Sequence, residues 1–247
     1  MRIKIFLMTL FLSFCSLVMS QFSVKQIDAN ELPEEVTYKG DFVSAISWKD
    51  KGGLHYVIQA ETPMLMTNAA REASLPVKYV TNPNSGRIDT IRNYEIVYNN
   101  GVADTVRNIE ADYRIKALNV YHYVVSKKET SLVWKDRDFV SDCAAKNLTI
   151  NFFCDPVVTD IDKDKIGEIW IMFRLGCRAN NNVPLAMKQW LYMGTERYSM
   201  RGLQAIKRGE KLAGGEVRQD DNYRMLPPDF KAYSKKLWMS YMFEVQE

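Results

Sequence analysis

The sequence predicts a mainly β protein, built from antiparallel hairpins in a sandwich or propeller-like arrangement and ending in a short C-terminal helix. Segments rich in β-branched and aromatic residues recur along the chain, separated by turns that contain Gly or Asn. An acidic loop joins two of these segments directly. Helical spacing of apolar residues is clear only near the C-terminus. These three observations favour strands over helices.

The first 20 residues have the pattern of an export signal. A basic start precedes an apolar run over residues 5–14, and Val18 and Ser20 stand three residues and one residue before a plausible cleavage point. The apolar run is too short for a membrane span, and no later segment is apolar enough. We therefore expect an exported mature chain without a transmembrane segment, located in the periplasm, on the outer surface or in the medium.

The mature chain is nearly neutral. Removal of residues 1–20 leaves 31 basic and 30 acidic side chains. This balance argues against a nucleic-acid partner, because nucleic-acid binders depend on neutralising phosphates. Residues 21–247 are long enough for a single β-rich domain, with a possible sub-boundary in a loop predicted at 78–92.

Most of the predicted elements are strands. Residues 42–48 and 55–60 flank a turn that contains Gly52 and Gly53, which predicts a hairpin. Further strands are predicted at residues 94–98, 113–125, 131–134, 157–159, 169–173 and 198–200, and around Tyr192.

The best predicted helix follows Pro227, where apolar side chains recur at helical spacing at Phe230, Tyr233, Leu237 and Tyr241. Residues 61–75 are ambiguous, since their Thr-Pro opening could begin a short helix. Two polar, Gly-containing segments, 78–91 and 208–222, are predicted as exposed loops.

Two Trp-Lys-Asp tripeptides, at 48–50 and 134–136, each follow an apolar strand. They could mark related strand–turn–strand units. Two tripeptides without a fixed period are equally typical of chance.

Three cysteines remain after signal cleavage: Cys143, Cys154 and Cys177. An oxidising compartment favours one disulfide among the three possible pairings. We favour Cys143–Cys177, because that bond brackets the acidic loop and ties its two flanks together. Cys154 would then be a buried free thiol. The spacings of zinc sites are absent.

The acidic loop places carboxylates at positions 1, 3, 5 and 9, from Asp160, Asp162, Asp164 and Glu168. With the carbonyl of Ile166 at position 7, this donor set suits Ca²⁺, which takes six to eight oxygen ligands. Four crowded carboxylates also repel one another unless a cation neutralises them. The pattern predicts a structural calcium site.

Position 6 departs from the usual pattern, because Lys165 stands where such loops prefer Gly. A non-Gly residue with positive φ costs about 1 kcal/mol or more. Gly167 could take the turn instead, with altered geometry. The alternative interpretation is a solvated hairpin turn in which Lys163 and Lys165 balance the carboxylates.

No motif for catalysis is found. His55 and His122 lie in predicted strands and are interpreted as core or edge histidines rather than catalytic bases. The nucleophile elbow, the zinc-protease helix and the phosphate-binding loop are all missing from the sequence. A glycosidase-type pair of carboxylates is compatible with the 30 acidic residues, but nothing singles one out.

The acidic segment 158–170, bracketed by Cys143 and Cys177, resembles a family of exported bacterial proteins associated with surface polysaccharide biosynthesis. Lys188 and the stretch 198–202 (Tyr-Ser-Met-Arg-Gly) are similar to segments that follow the loop in that family. The resemblance is best over 115–245, loose over 36–60 and absent over 64–110, and Lys165 departs from the family's glycine. The acidic loop is also similar to the calcium loops of integrin-like repeats.

The resemblance implies a role in making or displaying surface polysaccharide, with the polysaccharide or its assembly proteins as partners, and implies no catalytic residue. We therefore expect an exported, non-enzymatic accessory protein with a structural Ca²⁺ loop. The first alternative is a secreted carbohydrate- or protein-binding module. The second is a hydrolase with an unrecognised pair of carboxylates.

Overall fold

The structure, a computed structural model, describes residues 22–67, 77–81, 88–92, 94–99, 102–108, 113–126, 129–143, 147–209 and 211–244. The predicted export signal lies outside these residues. Within them, no helix combines the length and the hydropathy needed to cross a membrane.

Strands dominate the described residues. The strands up to the long central hairpin are β1 (Lys25–Ile27), β2 (Asp41–Asp50), β3 (Gly53–Glu61), β4 (Leu65–Thr67), β5 (Val77–Thr81), β6 (Ile88–Arg92), β7 (Tyr94–Asn99), β8 (Val102–Asn108), β9 (Tyr113–Ser126) and β10 (Glu129–Cys143). The remaining strands are β11 (Asn147–Phe152), β12 (Val157–Thr159), β13 (Glu168–Arg178), β14 (Ala186–Met193), β15 (Glu196–Leu203), β16 (Ile206–Arg208), β17 (Lys211–Ala213) and β18 (Val217–Gln219).

Two six-stranded antiparallel sheets form the body of the protein. The first sheet has the order β1-β2-β3-β9-β10, with β4 also paired to β9. The second has the order β11-β13-β14-β15-β18, with β12 also paired to β13. Apolar side chains of both sheets, among them Trp48, Val57, Ile171 and Phe173, share one buried cluster. The mainly β prediction is confirmed, and the arrangement is sandwich-like.

Each sheet is covered on its outer face as well. Helix α1 (Pro228–Tyr241) packs Phe230, Leu237 and Trp238 against Trp170 and Met172 of the second sheet. Its first residue is a proline, whose fixed φ suits the first turn of a helix. On the first sheet, the segment before β2 covers the outer face. The predicted C-terminal helix is confirmed.

A disulfide between Cys143 and Cys177 links β10 of the first sheet to β13 of the second, with a Cα–Cα distance of 5.3 Å. This is the pairing that the sequence favoured. Cys154 forms no disulfide, as expected, but it is half-buried rather than buried.

Two predictions for connecting segments, at 78–91 and 208–222, were wrong, and the ambiguous segment 61–75 contains a strand. The segment 78–91, predicted as an exposed loop, contains β5 and β6, which pair with each other. The Thr62-Pro63 opening leads into strand β4 rather than a helix, while residues 68–75 lie outside the described residues. The loop predicted at 208–222 contains two short strands, β17 and β18. A domain sub-boundary at 78–92 stays a prediction.

Candidate metal centre

The acidic loop closes the hairpin between β12 and β13, as predicted. Thr159 of β12 pairs with Glu168 of β13, so the two ends of the loop are held together by the ladder. Lys163 and Lys165 both have positive φ, of 62° and 68°. Lys165 therefore takes the left-handed position that such loops normally give to Gly, and Gly167 does not replace it.

The carboxylate of Glu168 is held firmly at the base of the loop. It accepts hydrogen bonds from the Thr159 hydroxyl at 2.6 Å and from the Ile161 amide at 2.9 Å. The same hydroxyl accepts a hydrogen bond from Trp170 Nε1 at 2.8 Å. Burial raises the pKa of Glu168 and the charge of Asp162 adds to the shift, although these hydrogen bonds oppose it. The position of Glu168 is thus set before any cation arrives.

Three carboxylates converge beside this base. One oxygen each from Asp160, Asp162 and Glu168 lies within 4.8 Å of the other two. Ligands of one calcium ion stand about 2.3–2.6 Å from it, so oxygens separated by less than twice that distance can share an ion. The three side chains therefore have the spacing of a common cation site.

The burial of Asp160 tests whether these residues would fit a cation. Its side chain is 7% exposed, and its Oδ1 accepts a hydrogen bond from the Lys165 amide at 3.2 Å. No described residue donates a hydrogen bond to its Oδ2, which is buried. A buried carboxylate oxygen without a partner is costly. A hard cation that binds oxygen would satisfy it, so the residues fit calcium.

The other two predicted ligands are not part of this group. Asp164 is exposed, and its Oδ1 accepts a hydrogen bond from the Ile166 amide at 2.7 Å. Lys51, in the turn between β2 and β3, donates a hydrogen bond to the carbonyl of Asp164. Ligand roles for Asp164 and for the Ile166 carbonyl stay predictions.

Asp50 connects the loop to the first sheet. Its Oδ2 accepts hydrogen bonds from the Gly167 amide at 3.0 Å and from Trp48 Nε1 at 3.2 Å. Gly167 is needed here because a Cβ at this position would lie 2.7 Å from Trp48 Nε1 and 2.8 Å from Val158 Cγ1. The glycine thus allows the close approach of β2 to the loop.

Two histidines continue this connection into the core. His55 Nε2 is 2.7 Å from Asp50 Oδ1, and His55 Nδ1 is 2.9 Å from His122 Nε2. Nε2–H of His55 donates a hydrogen bond to the Asp50 carboxylate, and a second hydrogen bond joins His55 Nδ1 to His122 Nε2. The chain of hydrogen bonds therefore runs from His122 through His55 to Asp50.

Asp50, at the end of this chain of hydrogen bonds, has a fully buried side chain. Burial raises its pKa, but hydrogen bonds from Gly167 and Gly52 and the proximity of His55 hold it below the usual value. Burial, reinforced by His55, lowers the pKa of His122 to about 3, against a weaker effect of Asp50. His122 is therefore neutral in the folded protein at neutral pH.

The two histidines lie in the core. Both are buried and stack against Trp48, with centroids 4.7 and 5.7 Å from its ring. Within the described part of the chain, no Ser, Thr or Cys side chain is hydrogen-bonded to either imidazole. The interpretation of both as core histidines stands, but their direct contact was missed. The only sequence signal was that Asp50 and His55 flank the same turn.

Asp136 of the second Trp-Lys-Asp tripeptide has a comparable place. It accepts hydrogen bonds from the Tyr192 hydroxyl and from Arg197, both at 2.7 Å. Trp134 stacks on Tyr192 with centroids 3.7 Å apart. In each tripeptide the Trp lies against the core and the Asp accepts hydrogen bonds from another strand. The hydrogen bonds of Asp136 connect β10 to the second sheet.

Comparisons were made with protein-family models, curated proteins and solved structures. None of the three gave a match. The functional interpretation therefore depends on the chain itself.

Proposed function

We propose that this chain is an exported, non-enzymatic accessory protein for the assembly or display of surface polysaccharide, and that a structural calcium ion stabilises its acidic loop. The export signal and the resemblance over the acidic segment support the biological part. The hydrogen bond from the Gly167 amide of the loop to Asp50 of β2 supports the calcium part. A cation bound in the loop would also stabilise this contact between the two sheets.

One observation carries the calcium proposal: the buried Oδ2 of Asp160 lacks a partner among the described residues while two more carboxylates converge beside it. The solvated-turn alternative requires lysines to balance the charge. Lys163 and Lys165 are both exposed, and neither ammonium forms an ion pair with a described carboxylate. The convergence therefore favours a cation over the solvated turn.

The calcium proposal predicts a melting temperature that rises with calcium. Extracellular calcium sites typically have Kd values of about 10⁻⁴–10⁻³ M. At about 10 mM calcium, binding would then add about 1.4–2.7 kcal/mol to the free energy of unfolding. This corresponds to a rise of roughly 3–10 °C for a chain of this size. Differential scanning calorimetry in calcium and in chelator measures it.

Asp162→Asn should reduce the rise, because it removes the negative charge of one of the three converging carboxylates. Asp221→Asn is the matched control, since that side chain is 99% exposed and lies far from the loop along the chain. A melt that is equal in calcium and in chelator for the wild-type protein would leave only the solvated-turn interpretation.

The biological proposal is tested in a deletion strain that is complemented with wild type, Asp162→Asn or Asp221→Asn. We expect a truncated or missing surface-polysaccharide ladder on a gel, restored by wild type and by Asp221→Asn but poorly by Asp162→Asn. A normal ladder in the deletion strain would rule out the biosynthesis role. The secreted binding module would then be the better hypothesis.

A further inference from the structure

A small cleft lies where β10 of the first sheet meets the β14–β15 hairpin of the second. Its volume is about 160 Å³. Its lining contains four cationic side chains (Arg137, Lys188, Arg197 and Arg201), two carboxylates (Asp138 and Asp220), and also Trp190 and Ser199. We propose that this cleft binds the carboxylate-bearing sugar of an acidic polysaccharide, an inference that rests on the proposed function and names its ligand.

Strand register places these side chains on one face. Lys188 lies directly opposite Arg201, and Trp190 lies directly opposite Ser199, on the paired strands β14 and β15. Side chains two residues apart on a strand share a face. The helix α1 covers the opposite face of this sheet, through Met187, Leu191 and neighbouring residues. The cleft therefore lies on the face of this sheet that is turned towards β10 of the first sheet.

Two of the four cations are already neutralised. Lys188 Nζ is 2.5 Å from Asp138, and Arg197 is 2.7 Å from Asp136. Arg197 also lies over the ring of Trp190, 5.2 Å from its centroid. These contacts fix the floor of the cleft.

The other two cations keep free hydrogen-bonding capacity. Arg201 is 63% exposed and only 3.6 Å from Asp220, which is too long for a strong hydrogen bond. Arg137 is exposed and forms no ion pair with a described carboxylate; its guanidinium lies 5.5 Å from the ring of Phe139. A guanidinium presents five donors in a planar fork that matches a carboxylate. The cleft thus offers the fork of Arg201 to an anion, while Arg137, on the opposite face of β10 from Asp136 and Asp138, adds positive charge at its rim.

The carboxylates of the cleft suit a sugar acid better than a bare anion. Asp138 and Asp220 can accept hydrogen bonds from the several hydroxyl groups that a sugar carries. A uronic acid carries both a carboxylate and hydroxyls, so it matches donors and acceptors together. The cleft is smaller than the roughly 300–1,000 Å³ of pockets for drug-sized ligands, which suits one sugar residue of a longer chain.

The test is binding of the full mature protein to polygalacturonate by affinity electrophoresis and calorimetry, with dextran as the neutral polymer. We expect retardation by polygalacturonate only, weakened by salt because the contacts are ionic. Arg137→Gln/Arg201→Gln should raise the Kd about tenfold or more, since charge-assisted hydrogen bonds are the strong ones. Lys235→Gln/Lys236→Gln removes the same charge from exposed positions on α1 and should change little.

Several outcomes would contradict acidic-sugar binding at the cleft. These are absence of binding, equal binding to dextran, an equal loss of affinity in both double variants, or displacement of the polymer by millimolar inorganic phosphate. Equal melting temperatures of the two double variants control for folding. The deletion strain tests the proposed function separately. An altered ladder without polygalacturonate binding rejects the cleft alone, whereas a normal ladder rejects the biosynthesis role alone.

Discussion

A buried chain of hydrogen bonds connects residues of the two sheets. Asp50 accepts hydrogen bonds from the acidic loop, from Trp48 and from His55, and His55 is hydrogen-bonded in turn to His122. The far nitrogen of His122, Nδ1, is buried without a partner among the described residues, and so is Nε1 of Trp134. A protonated His122 would place an uncompensated charge in this core.

Stability should therefore fall in mild acid. The folded pKa of His122 is about 3, against 6.5 for an ordinary histidine. Between these values the unfolded chain binds the extra proton, so the contribution of His122 is complete above pH 6.5 and decreases as the pH falls. The expected loss is about 1.4 kcal/mol per pH unit, or roughly 2 kcal/mol between pH 7 and pH 5.

Urea unfolding at a series of pH values measures this loss. His122→Gln keeps an N–H donor towards His55 but cannot take up the proton. We expect the variant to be less stable than wild type at pH 7, and its free energy of unfolding to decrease less between pH 7 and pH 5. An equal loss of stability in wild type and variant over that interval would show that His122 is not the responsible group.

Sequence reasoning could not find this chain because it depends on register. His55 pairs with Val124 across β3 and β9, and His122 pairs with Val57, so the two imidazoles meet diagonally. No spacing along the chain encodes that meeting. The carboxylates of the acidic loop differ, since they all come from one nine-residue segment and the three that converge were predicted as a group from their spacing alone.

Among the elements within the described ranges, the acidic hairpin is the one with non-glycine residues at positive φ. Lys165 has φ 68°, a conformation that costs an L-residue about 1–2 kcal/mol. Lys165→Gly should raise the free energy of unfolding by up to about 1 kcal/mol, because glycine relieves the strain but loses more chain entropy on folding.

Lys49→Gly provides the contrast. Lys49 is exposed on the extended strand β2, where glycine should lower the stability by about 0.5–1 kcal/mol. Opposite signs for the two substitutions, measured by urea unfolding in chelator, would confirm that the turn itself is strained. A destabilised Lys165→Gly variant would contradict it.

Strands were predicted well where β-branched and aromatic residues form continuous runs, as in β2, β3 and β13. They were missed where polar turn residues dominate the window. Pro83, Asn84 and Gly86 lie between β5 and β6, and they made the whole segment resemble a loop. Gly214 and Gly215 had the same effect between β17 and β18. Composition over a window cannot separate a short hairpin from a loop.

At the scale of the whole molecule, the disulfide joins the two sheets across 34 positions of sequence. Cross-links of this separation contribute about 3 to 4 kcal/mol on the chain-entropy model. Cys143→Ser/Cys177→Ser should lose about that much stability in urea unfolding, whereas Cys154→Ser should lose much less. A loss below about 1 kcal/mol in the double variant would mean that packing alone holds the sheets together.

The many short strands in the sequence predicted a sandwich-like arrangement, but they did not predict the order of the strands within each sheet. The first sheet contains β9 beside β3, with β4 to β8 intervening in the sequence. Such non-local pairing is decided by which faces bury one another, and the sequence alone does not specify it.

Helix α1 has a consequence for the newly made chain. It is the last helix or strand to leave the ribosome among those described, yet it covers Trp170, Met172, Met187 and Leu191 of the second sheet. Until it docks, the nascent protein presents a large aromatic and thioether-rich surface to its neighbours. Premature stop codons before residue 228 would therefore give aggregation-prone products that depend on chaperones, rather than shorter functional proteins.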